Sequence, residues 1–320
     1  MVSQEIGMAS NDARTAQYRA TERALWHHYG LAPKEAFIEL ESPAVRLRVQ
    51  ELDSGEPVLF VHGSGPPGAG SVWAPLVREL EGFRCLVLDL PGDGLSSAID
   101  HEGREYPTLV ADAIDGVLAT LGVDRVHVIS WSFGGVWALR LALRDPSRVS
   151  RIVQMGFSPI WSDIRPPASI RAQATPIGSL MLRMPVGARV VRSLLRNAVG
   201  HGASLDAGRI PDEMIDWIVA LMRDTNTMRN DLSWLRTLMG WRGARPGLTF
   251  EPAEIAAIQQ PLLYVYGTAD WDGIVDIAER VVALLPRADV RIVQDGGHVP
   301  WLDDPGGIAR DVRTFLRACN

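Results

Sequence analysis

The stretch that decides the fold is Val126-His127-Val128-Ile129-Ser130-Trp131-Ser132-Phe133-Gly134-Gly135. An apolar run of strand type ends there at a serine, and the segment 136–143 that follows has helical composition. A sharp strand-to-helix turn pushes the hydroxyl of its central residue out above the sheet, where the first backbone N–H groups of the helix also point. The turn needs small residues two positions before and after the serine, and Ser130 takes the place of the usual glycine at the first. The stretch predicts a nucleophilic Ser132, with an ordinary turn as the alternative.

Short apolar runs alternate with helical segments along most of the chain. They lie at 57–61, 85–88, 126–131, 151–155, 262–266 and 290–293. Such runs are typical of strands buried on both faces, and the helices between them favour parallel connections. Upstream, 37–40 and 45–49 alternate apolar with polar residues, which predicts an antiparallel hairpin at a sheet edge. The expected fold class is α/β, with a mostly parallel central sheet flanked by helices.

Composition and charge are those of an ordinary globular protein. Of 320 residues, 47% are hydrophobic and 22% charged, and the formal net charge is −6, which gives no hint of nucleic-acid binding. The two cysteines do not make a disulfide framework, and no segment has the apolar length of a signal-peptide core or a membrane span. We expect no nucleic-acid partner, no membrane association and a cytoplasmic location.

The strand pattern divides the chain into four parts. They are an N-terminal helical extension (1–36), the first part of the α/β core (37–156), an inserted helical cap (157–260) and the second part of the core (261–320). In the extension we expect a helix that Asn11 caps and that carries Tyr18, Leu25 and Trp26 on one face.

The predicted cap has no strand pattern, holds six of the nine methionines and carries an excess of arginine. Methionine side chains adapt to irregular surfaces, so they favour a pliable apolar underside that closes over Ser132. The alternative is a helical subdomain whose methionines only fill its own core. The arginines either steer an anionic substrate towards the site or simply face water.

An acid and a base follow two later strands. Asp270 comes after the run 262–266, and His298 comes after the run 290–293. The carboxyl ends of parallel strands meet at one edge of a sheet, so both side chains are expected beside Ser132. A serine hydroxyl needs a base to accept its proton and a third group to orient that base. These roles fall to His298 and Asp270, with Asp272 as the competitor for the second.

Two backbone donors are expected to stabilise the negative oxygen of a tetrahedral intermediate. One is the N–H of Phe133, which the turn holds in place. The other comes from the loop after the first buried strand, at Ser64 or Gly65. His62 in this loop is expected to shape it rather than to transfer protons.

The motifs together resemble those of the α/β-hydrolase superfamily. They are His62-Gly63-Ser64-Gly65, Asp89-x-Pro91-Gly92-x-Gly94-x-Ser96, Ser130-x-Ser132-x-Gly134-Gly135, Gly267-x-x-Asp270 and Gly297-His298, over residues 37–318. The resemblance implies that Ser132 is the nucleophile, Asp270 the acid and His298 the base, with Ser64 and Phe133 as the oxyanion donors. It also implies a helical cap after the sixth strand and no cofactor.

One loop resembles a particular branch of that superfamily. His62-Gly63-Ser64-Gly65-Pro66 is similar to the loop of the hydrolases that cleave carbon–carbon bonds in meta-cleavage products of aromatic rings. Those enzymes usually place asparagine before the nucleophile and tryptophan after the histidine, where this chain has Trp131 and Val299. The branch therefore stays open.

Several residues that flank the predicted site are candidates for a substrate pocket. They are Gly65, Trp131, Trp161, Trp271 and Trp301. Four tryptophans around one site favour an apolar or aromatic-binding pocket, and core packing is the alternative for each. The sequence has no metal-ligand cluster, and the glycine-rich loop at 63–68 lacks the lysine of a phosphate-binding loop. We expect neither metal nor cofactor.

The sequence by itself favours a serine hydrolase that cleaves a carboxylic ester or a related acyl compound through an acyl-enzyme. The first alternative is carbon–carbon bond hydrolysis of the meta-cleavage type. The second is a use of the fold for ligand binding or non-hydrolytic chemistry, as in receptors or cyclases. The expected partner is a small apolar or aromatic substrate, and a homodimer is left open.

Overall fold

The computed structural model describes residues 2–100, 105–156, 168–240, 243–244, 249–270, 276, 279–280 and 282–318. Its strands are β1 (Lys34–Glu41), β2 (Ala44–Leu52), β3 (Glu56–Val61), β4 (Phe83–Leu88), β5 (Val126–Trp131), β6 (Val149–Met155), β7 (Met239–Gly240), β8 (Gly243–Ala244), β9 (Leu262–Gly267) and β10 (Ala288–Val293).

The helices of the described residues fall before, between and after these strands. They are α1 (Val2–His28), α2 (Ala74–Val77), α3 (Tyr106–Thr120), α4 (Gly134–Arg144), α5 (Ala168–Gln173), α6 (Pro176–Met181), α7 (Ala188–Asn197), α8 (Gly202–Asp206), α9 (Asp212–Asp224), α10 (Thr227–Leu238), α11 (Pro252–Ala256) and α12 (Pro305–Arg317).

Eight strands form one sheet in the order β1-β2-β4-β3-β5-β6-β9-β10. The pairs β1-β2 and β2-β4 are antiparallel, and the remaining pairs are parallel. The expected α/β class is confirmed, as is the hairpin at the sheet edge. Because β3, β5, β6, β9 and β10 run in the same direction, the loops that follow them gather at one edge.

Helices cover both faces of this sheet, because its central strands are apolar on both sides. In β3, Leu59 and Val61 face the layer that contains α3 and α4, while Val58 and Phe60 face the layer that contains α1, α2 and α12. Alternate residues of a strand point to opposite faces, so one short apolar run contributes to two cores. The central strands are therefore packed on both sides, up to the edge where the loops gather.

The first helix is joined to the sheet by a buried ion pair. Arg48 of β2 donates to Glu22 of α1 at 2.5 Å and to Asp89 at 3.2 Å, and all three are almost fully buried. Asp89 in turn accepts from the backbone N–H groups of Gly70 and Leu95. These charges fix the loop after β4, which borders the site described below.

Two local expectations were wrong. The first helix begins at Val2 rather than after Asn11, so Asn11 lies inside it and is not its cap. The predicted cap is not free of strands, because β7 and β8 pair over two residues each. The expected apolar face of α1 is confirmed, since Tyr18, Leu25 and Trp26 are buried.

Candidate active site

Ser132 lies at the turn between β5 and α4 with a φ of 52°, in the left-handed region that residues with side chains seldom adopt. The turn is so tight that two positions packed against it, Gly63 and Gly134, have no room for a side chain. A Cβ at Gly63 would lie 2.7 Å from that of Ser132, and a Cβ at Gly134 would meet the carbonyl of Val61. The backbone is therefore bent so that the Ser132 hydroxyl stands at the edge of the sheet.

Ser130 occupies the position where this kind of turn usually has glycine. Its hydroxyl donates to the Gln154 amide oxygen at 2.6 Å, and the Gln154 amide donates to the carbonyls of Ser132 and Met155. A buried hydroxyl costs free energy unless it is hydrogen-bonded, and here it is. Ser130 thus joins the turn to β6 instead of disturbing it.

Ser132, His298 and Asp270 form a continuous chain of hydrogen bonds. The Ser132 Oγ lies 3.0 Å from His298 Nε2, and both carboxylate oxygens of Asp270 lie 3.0 Å from His298 Nδ1. A carboxylate can only accept, so Nδ1 carries the proton and Nε2 is free to accept the proton of the hydroxyl. The parallel pair β9-β10 brings the loops of Asp270 and His298 together, because Gly267 and Val293 stand opposite each other.

Ser64 and Phe133 line the same cavity. In the part of the chain that the structure describes, the backbone N–H of neither residue donates to a carbonyl or a side chain. Gly65 differs, because its N–H donates to the Asp231 carboxylate at 2.7 Å. Of the two candidate donors in this loop, Ser64 is therefore the one whose N–H is not engaged by another described residue.

His62 is not placed to exchange a proton with a substrate. Its Nδ1 lies 2.7 Å from the carbonyl of Gly63, and its Nε2 accepts from the N–H of Leu90 at 3.0 Å. Both ring nitrogens are thus occupied by the backbone. Burial lowers the pKa of His62 to about 4, so it is neutral and braces the loop.

Two of the predicted pocket tryptophans lie in the core instead. Trp131 and Trp301 are 1% and 0% exposed. The indole N–H of Trp131 donates to the carbonyl of His298, and Trp301 stacks on Trp73 and donates to Val72. Both therefore pack behind His298, in the apolar layer that contains α1, α2 and α12. Neither is among the residues that line the cavity next to Ser64, and their place in a substrate pocket stays a prediction.

Of the remaining pocket candidates, only Gly65 lies within the described residues. Trp161 and Trp271 lie outside the described residues, as does Asp272, the competitor of Asp270. Gly65 lies in the loop beside the cavity but is held by Asp231. The cavity itself is lined by Gly63, Ser64, Leu90, Asp93, Tyr106, Val110, Phe133, Trp137 and Trp234.

Sequence reasoning missed the aromatic and acidic residues of this cavity. Tyr106, Trp137 and Trp234 come from α3, α4 and α10, and their rings pack against one another with centroids 5.6 to 6.3 Å apart. Asp93 and Asp231 come from the loop after β4 and from α10. The hydrophobic periodicity of the sequence predicted only that these positions lie in loops or helices. It did not indicate that they come together in the fold.

Burial changes the acidity of both carboxyl groups. The pKa of Asp93 is raised well above its usual range, first by burial and then by the nearby charge of Asp231. Burial also raises the pKa of Asp231 to about 7, against the opposing hydrogen bonds from Gly65 N–H and the Trp234 indole. Both carboxyl groups therefore hold their protons more strongly than an exposed aspartate does.

A segment of the predicted cap touches the histidine loop. The carbonyl of Val199 accepts from the N–H of His298 at 2.8 Å, and Nε2 of His201 accepts from the N–H of Val299 at 3.1 Å. Nδ1 of His201 lies 3.1 Å from Asp303. No sequence pattern indicated this contact, which joins residues about a hundred positions apart.

The described residues form neither a metal-ligand cluster nor a membrane-spanning helix. In those residues, no three histidine, cysteine, aspartate or glutamate side chains are grouped so that they could hold a metal ion. No helix found among them is long and apolar enough to cross a membrane.

Comparisons with known proteins place this geometry in a family. A 2-hydroxy-6-oxononadienedioate/2-hydroxy-6-oxononatrienedioate hydrolase of Burkholderia vietnamiensis is 27% identical over 88% of this chain and 95% of its own. A 2-hydroxy-6-oxo-6-phenylhexa-2,4-dienoate hydrolase of Burkholderia cepacia is 33% identical over 35% of this chain and 40% of its own.

A solved structure has the same fold. Carboxylesterase CesB of Bacillus subtilis superimposes with a TM-score of 0.72 at 20% identity, over 96% of this chain and all of its own. The family described as alpha/beta hydrolase fold matches residues 56–305, which is most of the chain. The sheet order, the turn at Ser132 and this match agree, and the chain belongs to the alpha/beta hydrolase fold family.

Proposed function

We propose that the chain is a serine hydrolase that attacks a carbonyl carbon with Ser132. The observation that supports this most directly is the unbroken chain from Ser132 through His298 to Asp270, with 3.0 Å at each contact. His298 accepts the hydroxyl proton and later returns it to the leaving group, while Asp270 holds the tautomer and stabilises the imidazolium. The N–H groups of Ser64 and Phe133 stabilise the negative oxygen that forms.

The reaction we propose first is hydrolysis of a carbon–carbon bond next to a ketone. The named relatives are hydrolases of oxo-dienoates, and one of them matches along nearly the whole chain. This choice replaces ester cleavage, which the sequence by itself favoured. Ser132 attacks the ketone carbon, and the bond between that carbon and the dienoate carbon then breaks. The dienoate carbon leaves as a stabilised carbanion and takes up a proton. The former ketone carbon stays bound to Ser132 as an ester, which water hydrolyses to a carboxylic acid.

Ester hydrolysis is the second candidate, and one contact favours it. Trp131 stands where the meta-cleavage hydrolases usually have asparagine, and its indole N–H is engaged by the carbonyl of His298. The residue before the nucleophile therefore offers no side-chain donor to a dienoate. An ester needs no such donor, because its alkoxide leaves without further delocalisation.

A binding or non-hydrolytic role is less well supported. A receptor has no need for Ser132 and His298 at hydrogen-bonding distance, nor for the strained φ of the serine. The cytoplasmic location stays a prediction of the sequence, and a homodimer stays open.

We further propose that the helices between β6 and β9 act as a lid over Ser132, with domain limits as the sequence suggests. α10 reaches the oxyanion loop through Asp231, and the segment at Val199 reaches the histidine loop. Arg192 and Arg196 of this region are paired with Asp212 and Asp206, which favours a surface role over substrate steering.

Labelling tests the proposed nucleophile. A fluorophosphonate should attach to Ser132, and peptide mass spectrometry should find no adduct in Ser132→Ala. Asp270→Asn should keep the fold and lower kcat by about 10⁴-fold, since an amide stabilises the wrong tautomer of the histidine. Turnover that survives Ser132→Ala would contradict the proposal.

A panel of substrates distinguishes cleavage of a carbon–carbon bond from cleavage of an ester bond. Purified protein is given aryl esters and 2-hydroxy-6-oxo-dienoates in parallel, and kcat/KM is compared. Preference for dienoates supports carbon–carbon cleavage, and preference for esters supports the second candidate. Saturable calorimetric binding without any product would favour the receptor alternative.

A further inference from the structure

Two contacts hold the peptide units on either side of Ser64. The carbonyl of Gly63 belongs to the same peptide unit as the Ser64 N–H, and it lies 2.7 Å from Nδ1 of His62. A trans peptide unit is planar, so its carbonyl and its N–H point in opposite directions. The N–H of the next unit, that of Gly65, donates to the Asp231 carboxylate at 2.7 Å. The direction of the Ser64 N–H therefore depends on one contact from the residue directly after β3 and on one contact from α10.

Gly65 needs the contact from α10, because its own backbone restrains it little. Its φ is 72°, and an added Cβ would meet no described atom within 4 Å. Glycine populates the left-handed region as readily as the right-handed one, so such a residue is fixed by its hydrogen bonds rather than by its shape. Its carbonyl accepts from Gly68 within the loop, and its N–H is tied to Asp231 by a charge-assisted bond.

The Asp231 carboxylate also supports the residue of the second oxyanion donor, through an aromatic ring. Its Oδ1 accepts from the indole N–H of Trp234 at 3.1 Å, about one turn further along α10. The Trp234 ring packs edge-to-face on Phe133, with the ring centroids 5.2 Å apart. Asp231 is 7% exposed and Trp234 is 3% exposed, so little water competes for these contacts. One buried carboxylate thus holds the loop of Ser64 and the ring beside Phe133.

The helix α10 is anchored to the core independently of Asp231. The Asn230 amide donates to the carbonyl of Pro91 at 2.9 Å, and Oγ1 of Thr227 accepts from the N–H of Gly94 at 2.9 Å. Both partners lie in the loop after β4. Loss of the Asp231 carboxylate should therefore leave the helix in place and release only the oxyanion loop.

We propose that Asp231 is a positioning residue for the oxyanion donor Ser64, through which α10 completes the oxyanion hole from outside the core. The inference rests on the proposed serine hydrolase function and adds to it a residue from the insertion between β6 and β9. Asp231 acts through Gly65 and not on the reacting atoms. Its effect should appear in the transition state, where the negative oxygen forms, and not in the binding of the substrate.

Kinetics of Asp231→Ala test the proposed role. With the better substrate of the panel above, we expect kcat to fall about 30-fold and KM to change by less than about threefold. A misplaced donor should cost less than the roughly 10²–10³-fold loss that follows when a donor is removed outright. The rate at which the fluorophosphonate labels Ser132 should fall with kcat, since its phosphoryl oxygen uses the same hole. A folded variant with unchanged kcat and unchanged labelling overturns the inference, as does a change confined to KM.

Conservative variants separate positioning from general damage to the fold. Asp231→Asn keeps a carbonyl oxygen that can accept from Gly65 N–H, so its kcat should be within about threefold of the wild-type value. An asparagine variant as slow as the alanine variant overturns the inference. Asp231→Leu, which keeps the branching of the side chain without an acceptor, replaces Asp231→Ala if that variant does not fold. The measurements are made at about pH 8.5, above the pKa of about 7 to which burial raises the Asp231 carboxyl group.

Matched controls come from an acid elsewhere in the same insertion. Asp216 is exposed on α9. Asp216→Asn and Asp216→Ala make the same chemical changes as the two Asp231 variants, and they should leave kcat, KM and the labelling rate unchanged. An equal loss of kcat in Asp216→Ala overturns the inference, because the effect would then not depend on the contact with Gly65.

Exchange of the Gly65 amide with water tests the contact without any turnover. The sequence contains two Ser-Gly pairs, at 54–55 and 64–65, so carbonyl-labelled serine and amide-labelled glycine give NMR signals from the amides of Gly55 and Gly65 alone. Gly55 is exposed and serves as the internal reference. In the wild-type protein the Gly65 amide should exchange at least about tenfold more slowly than the Gly55 amide. This protection should be lost in Asp231→Ala and kept in Asp231→Asn.

Failure of this inference can be distinguished from failure of the proposed function. Turnover that survives Ser132→Ala contradicts the proposed function and does not alter the exchange measurement. Equal exchange of the Gly55 and Gly65 amides, in a wild-type protein that the fluorophosphonate labels at Ser132, overturns this inference alone. A protected Gly65 amide together with the loss of kcat in Asp231→Ala supports both.

Discussion

His201 accepts a hydrogen bond from the backbone N–H of Val299, the residue directly after His298. The preceding amide, that of His298 itself, donates to the carbonyl of Val199. Two successive N–H groups of the histidine loop are thus held by one segment between α7 and α8. Asp303 accepts from Nδ1 of His201 and from the N–H of Gly297, and so holds the same loop from its other side.

Removing the His201 ring should misplace the catalytic base. We expect His201→Ala to lower kcat about tenfold with a smaller change in KM, because small displacements of a proton-transfer group are costly. His201→Gln retains an acceptor for Val299 N–H and should recover part of the rate, as should imidazole added to the alanine variant. Steady-state kinetics and urea unfolding measure both effects, with His27→Ala on α1 as the control. An unchanged kcat in a folded His201→Ala protein contradicts this expectation.

The strained backbone of Ser132 should be visible in stability. Glycine normally lowers stability relative to alanine, but it adopts a positive φ without strain. Ser132→Gly should therefore be more stable than Ser132→Ala by about 1 kcal/mol. Denaturant unfolding of the two inactive variants tests it. The reverse order would show that the turn relaxes when the hydroxyl is lost.

His62 should make the protein sensitive to acid. Burial lowers its folded pKa to about 4, below the value near 6.5 of an unfolded chain. Above pH 6.5 both states are neutral, and the contribution to stability is complete. Between pH 6.5 and 4 only the unfolded state binds the proton, so about 3 kcal/mol of unfolding free energy is lost. His62→Gln should flatten this part of the stability profile, and an unchanged slope would contradict the assignment.

The raised pKa of Asp93 has the opposite sign in a pH titration of stability. Its folded carboxyl group keeps a proton that the unfolded chain releases near pH 4, so the group destabilises the fold as pH rises towards the folded pKa. Asp231, Asp89 and the Tyr106 phenol face it and act together. Asp93→Asn should gain unfolding free energy over the wild-type protein between pH 5 and pH 8. Asp216→Asn should show a constant difference over that range.

The elements whose position depends on local pattern were predictable. The apolar runs that became β3, β5 and β9 are buried on both faces, and such strands need no partner information to be recognised. Asp270 and His298 were placed together because parallel strands share one carboxyl edge. The start of α1 and the short β7-β8 pair were missed, since helix ends and two-residue ladders carry little periodic signal.

The residues that line the cavity could not be predicted from local sequence patterns. Trp131 and Trp301 are near the catalytic residues in sequence, yet both are buried in the apolar layer and neither lines the cavity. The rings that do line the cavity, Tyr106 and Trp234, come from helices far apart in the chain. Closeness in sequence was a poor guide to closeness in space.

By itself, the sequence determined the sheet, the order of serine, acid and base, and the turn that exposes Ser132, because hydrophobic alternation and small residues act over a few positions. Only the tertiary structure decided that Gly65 is held by Asp231, that His201 holds the histidine loop, and that Asp93 lines the cavity. These contacts join segments that are far apart along the chain. The local sequence pattern of each segment indicates only a helix or a loop and not its partner. Electrostatic and hydrogen-bonding partners are set by where the chain brings side chains together, and that depends on packing over the whole sheet.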